Sequence, residues 1–209
     1  EIKDVEKVVI NDVNSDALDV AQRSAKLNNI SNFEISENET CRFFSLFSQK
    51  DSRGSVVDID PFGSPTKYFD CSIRATMHGG LLSVTATDMQ VLHGLAKNAC
   101  KRKYYGVPIK TEYSNEIAIR LILGCLYAVS GRLGIQIIPQ FVQTHMHYYR
   151  IFVKILTKKD QNQNLGYISH CFECGNRIIE KKSSSCCDKC NGELNSAGPL
   201  WIGQLFNKK

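Results

Sequence analysis

No glycine occurs before Gly54, no apolar run approaches the roughly 20 residues needed to cross a bilayer, and no segment repeats. The first absence means that no Gly-rich turn, where a backbone can closely approach a ligand, precedes Asp12. The second excludes a membrane-spanning helix, and the third excludes solenoid and propeller arrays. The opening Glu1-Ile2-Lys3-Asp4-Val5-Glu6 is too charged for a signal peptide, so an intracellular, non-membrane protein is expected. Nine cysteines without such a signal argue for reduced thiols and a metal site rather than disulfides.

What is present fits a globular chain: 209 residues, 43% hydrophobic, enough for one large or two small domains. The net charge of +5 conceals an asymmetry. Residues 1–96 hold 9 Lys+Arg against 14 Asp+Glu, while residues 97–209 hold 17 against 7. The basic half is the candidate phosphate-contacting half.

Hydrophobic spacing predicts alternating elements. Lys7 to Asp12 reads as a buried strand with an acidic end, followed by a helix capped by Asn14 or Ser15 and ended by Asn28-Asn29. Phe33-Glu34-Ile35 is a second strand, Asn38 to Phe47 a loop entering a weak helix, and Val56 to Ile59 a third strand. Pro65 to Met77 fits a helix stopped by Gly79-Gly80, and Leu81 to Thr87 a fourth strand. The alternation predicts an α/β fold with a parallel sheet. Beyond it come a helix over Ser114 to Ser130, strands at Ile135 to Phe141 and Tyr149 to Leu156, a polar connection from Lys158 to Gly166, and a cysteine-rich, loop-like remainder.

Asp60-Pro61-Phe62-Gly63 follows the third strand directly. A carboxylate can accept one N–H of an amino group, and the Pro61 carbonyl, in a residue with no donor of its own, can accept another. The Phe62 ring can stack on a flat base, a contact of about 1–3 kcal/mol. The pattern suggests chemistry on an exocyclic amine of a nucleobase, although a lone tetrapeptide of this kind is also ordinary turn chemistry.

Cys171-x-x-Cys174 and Cys187-x-x-Cys190 are separated by a short polar segment. Two such knuckles complete a tetrahedral four-cysteine zinc site, structural because no coordination position is left open. Cys186 could replace Cys187, and His170 adjoins the first pair without being needed. Cys41, Cys71, Cys100 and Cys125 read as packing residues, and His145 and His147 as strand-face residues.

Asp58-Ile59-Asp60-Pro61-Phe62-Gly63-Ser64-Pro65, Gly79 to Met89, Lys110 to Glu116, Tyr148 to Lys154 and Ala197 to Gly203 together resemble the tRNA guanine-26 N2-dimethyltransferase family. Asp-Pro-Phe alone would equally fit DNA adenine or protein glutamine methylation. The resemblance implies transfer of one or two methyl groups from S-adenosylmethionine to N2 of a tRNA guanine. It implies a Rossmann-like methyltransferase domain, residues 1–108, lacking its first strand and Gly-rich turn. An α+β tRNA-binding C-terminal domain, residues 109–209, would carry the zinc knuckles at 171–190. By position, Asp12 would hold the cofactor ribose, Glu39 and Thr40 its adenine, and Asp60, Pro61 and Phe62 the target amine and base. Glu39 and Thr40 depart from the family's usual Asp-Ala pair. Lys101, Arg102, Lys103, Lys110, Arg132 and Arg150 are candidates for tRNA phosphates, with Tyr104 and Tyr105 as candidate stacking residues. A monomer is expected, completed by an N-terminal segment that supplies the missing strand. The alternative is a catalytically inactive, zinc-containing tRNA-binding fragment or paralogue.

Overall fold

Asn14 opens the first helix because its side-chain oxygen accepts the Asp16 N–H at 3.0 Å, satisfying a donor that has no partner within the helix. This helix, α1 (Ser15–Leu27), joins β1 (Val8–Asn11) to β2 (Phe33–Ser36), and the two strands pair in parallel. Asn28 closes α1 and Asn29 turns the chain at φ 55°. The computed structural model describes residues 5–158 and 163–206.

Next come α2 (Thr40–Leu46), β3 (Gly54–Ile59), a 3-10 turn over Thr66–Tyr68, α3 (Phe69–Ala75) and β4 (Thr76–Ala86). The chain continues through α4 (Met89–Leu92), α5 (Lys97–Tyr104) and α6 (Ser114–Arg132) to the hairpin of β5 (Gln136–His145) and β6 (Tyr148–Leu156). It closes with β7 (Leu165–Cys171), β8 (Arg177–Glu180) and β9 (Leu194–Trp201).

Three sheets result. β1 pairs β2; β3, β4, β6 and β5 follow one another in a four-stranded mixed sheet; β8, β7 and β9 form an antiparallel one. Val57, Ile59, Leu82, Val84, Ile151 and Val153 bury one face of the mixed sheet in a single core with Phe69 and Ile73 of α3 and Ile117, Leu121 and Leu126 of α6. Each such side chain contributes roughly 1.5–3 kcal/mol when fully removed from water. The antiparallel sheet is fastened to α6. Gly124 lets the helix approach β9 so closely that a Cβ there would lie 2.9 Å from Leu200 Cα. Arg120 donates to the Trp201 and Gly203 carbonyls at 3.0 Å each.

Several expectations are corrected. The helix expected from Pro65 to Met77 ends at Ala75, and Gly79-Gly80 lie inside β4. They form a bulge there, because Gly54 pairs with Thr76 while Val56 pairs with Leu81. Residues 97–104, read only as basic and aromatic, form α5. The cysteine-rich remainder is a three-stranded sheet rather than loops. The connection expected over 158–166 falls partly outside the described residues at 159–162, and its last two residues belong to β7. Cys41 and Cys71 are not isolated packing thiols: they are joined in a disulfide between α2 and α3, with Cα atoms 5.5 Å apart. Cys100 and Cys125 are buried, and burial pushes both thiols up to about 12. The mixed sheet draws strands from both sides of residue 108, since β4 pairs with β6.

Candidate active site

Asp60 sits immediately beyond the carboxyl end of β3, the side of a parallel sheet where ligands bind. Among the described residues its carboxylate is exposed and has no hydrogen-bond or ion-pair partner. The Phe62 ring is fully in solvent (relative exposure 104%), available to a flat ligand. The loop is nevertheless anchored. Gly63 turns it at φ 80°, donates its N–H to Thr87 Oγ1 at 2.7 Å, and accepts the Thr87 N–H at 2.9 Å.

Thr87 is the first residue beyond β4, and its neighbour Asp88 extends the brace. The Asp88 carboxylate accepts from the Tyr104 hydroxyl at 2.6 Å and pairs with Lys103 Nζ at 3.2 Å. Burial and the adjacent Asp88 charge hold the Tyr104 hydroxyl well above its ordinary pKa, so it remains a donor. Sequence reasoning does not single out Thr87 or Asp88 as site residues. The available signal is a polar pair at the end of a buried strand.

The expected cofactor residues gather at neighbouring strand ends. Asp12 follows β1, is exposed, and accepts the Asn14 N–H at 2.9 Å through one carboxylate oxygen. Asn11 and Asn38 exchange side-chain to backbone bonds of 3.0 and 3.2 Å, tying the end of β1 to the segment after β2. Glu39 caps α2, accepting the Arg42 N–H at 2.9 Å; this bond, then the Cys41 N–H and the Lys67 charge, lower its pKa. Thr40 is the first residue of α2. Lys67 and Cys71 follow the Asp60 loop in sequence, and the Cys41–Cys71 bridge ties α2, which Glu39 caps, to α3.

The four knuckle cysteines converge. The Sγ atoms of Cys171, Cys174, Cys187 and Cys190 all lie within 4.8 Å of one another. Cys171 and Cys190 are 3.4 Å apart, and Cys174 and Cys187 3.7 Å. A tetrahedral zinc with Zn–S bonds of about 2.3 Å needs sulfurs about 3.8 Å apart. Backbone N–H groups of Lys189 and Gly192 point at Cys187 and Cys190 sulfurs, each at 3.4 Å. The Lys189 N–H, then the Cys190 N–H and Asn176, lower the Cys187 thiol, while the crowded neighbouring sulfurs push the Cys174 and Cys190 thiols up, so the four share their protons unevenly. Cys186 is outside the group, its thiol directed to the Asn191 carbonyl. His170 is buried against the Tyr113 hydroxyl, and His145 stacks on Tyr148.

The basic candidates divide. Arg150 pairs with Asp58 at 2.5 Å and donates to Ser83, and Lys103 is held by Asp88. Lys101, Arg102, Lys110 and Arg132 are exposed and make no ion pair among the described residues.

A family model described as N2,N2-dimethylguanosine tRNA methyltransferase matches residues 1–209. The chain is 36% identical to the tRNA (guanine(26)-N(2))-dimethyltransferase of Methanosphaera stadtmanae, covering 100% of this chain and 55% of that protein. It is 33% identical to the tRNA (guanine(26)-N(2)/guanine(27)-N(2))-dimethyltransferase of Aquifex aeolicus, with 98% and 54% covered. A solved structure of Trm1 from Pyrococcus horikoshii with S-adenosyl-L-methionine superposes with a TM-score of 0.83 at 26% identity, covering 97% of this chain and 57% of that one. The chain thus spans about half the length of the relatives it matches.

Proposed function

Because this chain belongs to the N2,N2-dimethylguanosine tRNA methyltransferase family, we propose that it carries the acceptor side of an S-adenosylmethionine-dependent methyl transfer to N2 of a tRNA guanine, at position 26. The observation that carries this reading is the unpartnered Asp60 carboxylate beside the exposed Phe62 ring, in a loop clamped by Thr87.

The guanine amine is a weak nucleophile because its lone pair is delocalised into the ring. Asp60 and the Pro61 carbonyl accept its two N–H bonds, which favours a pyramidal nitrogen and stabilises the positive charge that develops there. As the N–C bond forms, Asp60 accepts the proton released from nitrogen. Phe62 stacks on the guanine after it leaves its helical stack. When bound, S-adenosylmethionine supplies an already activated sulfonium methyl group, so positioning by the chain provides much of the rate. The residues available to hold it fit its polar parts: Asp12, with one carboxylate oxygen outside its bond to Asn14, would take the ribose hydroxyls, and Glu39-Thr40 would take the adenine.

β1–β2 and β3–β4–β6–β5 share no ladder among the described residues. We propose that a further strand with a Gly-containing turn seats between β1 and β3 to complete the cofactor site. We also propose that the methyltransferase domain extends through β6, with the division near residues 157–164, and that Cys171, Cys174, Cys187 and Cys190 hold a structural zinc in the second domain. The lack of a β1–β3 ladder favours a second reading for the 209 residues in isolation, an RNA-binding module inactive alone. Micromolar S-adenosylmethionine binding by these residues in calorimetry would exclude it.

The test of the main reading uses the full-length protein, unmodified tRNA and S-adenosylmethionine, with nucleoside analysis of the product. N2-methylated guanosine is expected, and Asp60→Ala should abolish it while sparing tRNA binding. Undiminished turnover in Asp60→Ala would refute the role given to this carboxylate.

A further inference from the structure

Two adjacent tyrosines at the end of α5 have opposite fates. Tyr104 is buried and committed to Asp88, whereas Tyr105 is 64% exposed. Tyr105 also ends the helix in the left-handed region, at φ 59°. Glycine is the usual residue for that position, because a Cβ is strained there. Glycine does occur one residue later, where packing demands it: a Cβ on Gly106 would fall 2.5 Å from Leu121 Cδ2 and 2.6 Å from the Pro199 carbonyl oxygen. A large aromatic ring is therefore held in solvent at a site whose backbone favours no side chain, and strain of this kind concentrates at functional positions.

Its surroundings identify a partner chemistry. Lys101, one helical turn before Tyr105, and Arg102 are exposed and free of ion pairs among the described residues, unlike the half-buried Lys103. The same helix, through Lys103 and Tyr104, grips Asp88 beside the Thr87 clamp on the Asp60 loop. A ring with two unneutralised cations, on the helix that braces the amine-positioning loop, suits a polyanion that carries flat bases. We propose that Tyr105, Lys101 and Arg102 form an RNA-landing surface, with Tyr105 stacked on a nucleobase and the two cations on phosphates. This surface rests on the reading of RNA as the substrate.

The test measures the affinity of the full-length protein for an unmodified tRNA transcript over a range of KCl concentrations, alongside its Tm. Tyr105→Gly satisfies the left-handed backbone, so the Tm should hold or rise, while tRNA binding weakens about 5- to 150-fold through the lost stack. Tyr105→Trp should bind as wild type. Lys101→Ala with Arg102→Ala should flatten the slope of log K against log salt by about 1.4–1.8, for two phosphates. Wild-type affinity in Tyr105→Gly would overturn the stacking role, and an unchanged salt slope the phosphate role. Polyglutamate displacing the tRNA from this surface at comparable concentration would assign it to an acidic protein instead. Should the wild-type protein neither bind nor methylate tRNA, the substrate reading itself fails. Should it do both with Tyr105→Gly unimpaired, only the landing surface fails.

Discussion

Replacing Gly124 by alanine tests how the cysteine-bearing sheet is attached to the sheet that carries Asp60. A Cβ at this position lies 2.9 Å from both Leu200 Cα and Trp201 N, and 3.0 Å from Leu200 C. All three are backbone atoms of β9, so no rotamer change relieves the overlap. Carbon atoms pack at about 3.5–4.0 Å, so β9 must retreat by roughly 0.6–1.1 Å. Overpacking of this size costs about 1–3 kcal/mol. Alanine returns up to about 1 kcal/mol in helix propensity. Gly131 supplies the control: it lies in the last turn of the same helix, and a Cβ there meets nothing within 4 Å. Gly131→Ala should therefore be neutral or stabilising by up to about 1 kcal/mol. Much of the propensity gain cancels between the two variants, leaving a gap of about 1–3 kcal/mol that belongs to the α6–β9 contact. Urea unfolding followed through Trp201, buried against Tyr127 with ring centroids 5.2 Å apart, reads this junction directly. Equal stability of the two variants within about 0.5 kcal/mol would refute the close-approach argument.

Metal analysis of protein purified under reducing, chelator-free conditions should give one zinc per chain; Cys187→Ser should lose it and Cys186→Ser should keep it. Thr87→Val removes the acceptor for the Gly63 N–H, and turnover should fall about 2- to 12-fold, the worth of one neutral hydrogen bond, with tRNA affinity unchanged and Thr87→Ser restoring the rate. Equal turnover in Thr87→Val would show that the clamp does not position Asp60. Glu39 has a lowered pKa, so its contribution to stability is present above the ordinary glutamate value and lost as pH falls through the folded one. The Tm difference between wild type and Glu39→Gln should accordingly be present at neutral pH and vanish in acid, and a difference independent of pH would count against the charged cap.

Much of this was legible along the chain because the signals are local. Asp60, Pro61 and Phe62 are contiguous, each Cys-x-x-Cys pair is a single turn, and the spacing that forms α1 and α6 needs only neighbours three and four residues apart. The helix boundary at Ala75 was not legible. Gly79-Gly80 read as a stop, yet they serve a bulge that exists only because β3 lies alongside, with Ser55 O 2.9 Å from where a Gly80 Cβ would be.

The sequence by itself determined the family, the order of strands and helices through β4, and which residue types could supply acceptor and thiolate groups. Tertiary structure decided which of them are free to act. It committed Arg150 to Asp58 across 92 positions and Lys103 to Asp88 across 15, bridged Cys41 to Cys71, and clamped Gly63 to Thr87. It also chose Cys187 over Cys186 and exposed Tyr105 while burying Tyr104. The reason is physical. A side chain's donors, acceptors and charge are written in its own identity, but whether a partner already occupies them depends on distant segments brought within about 3 Å by packing.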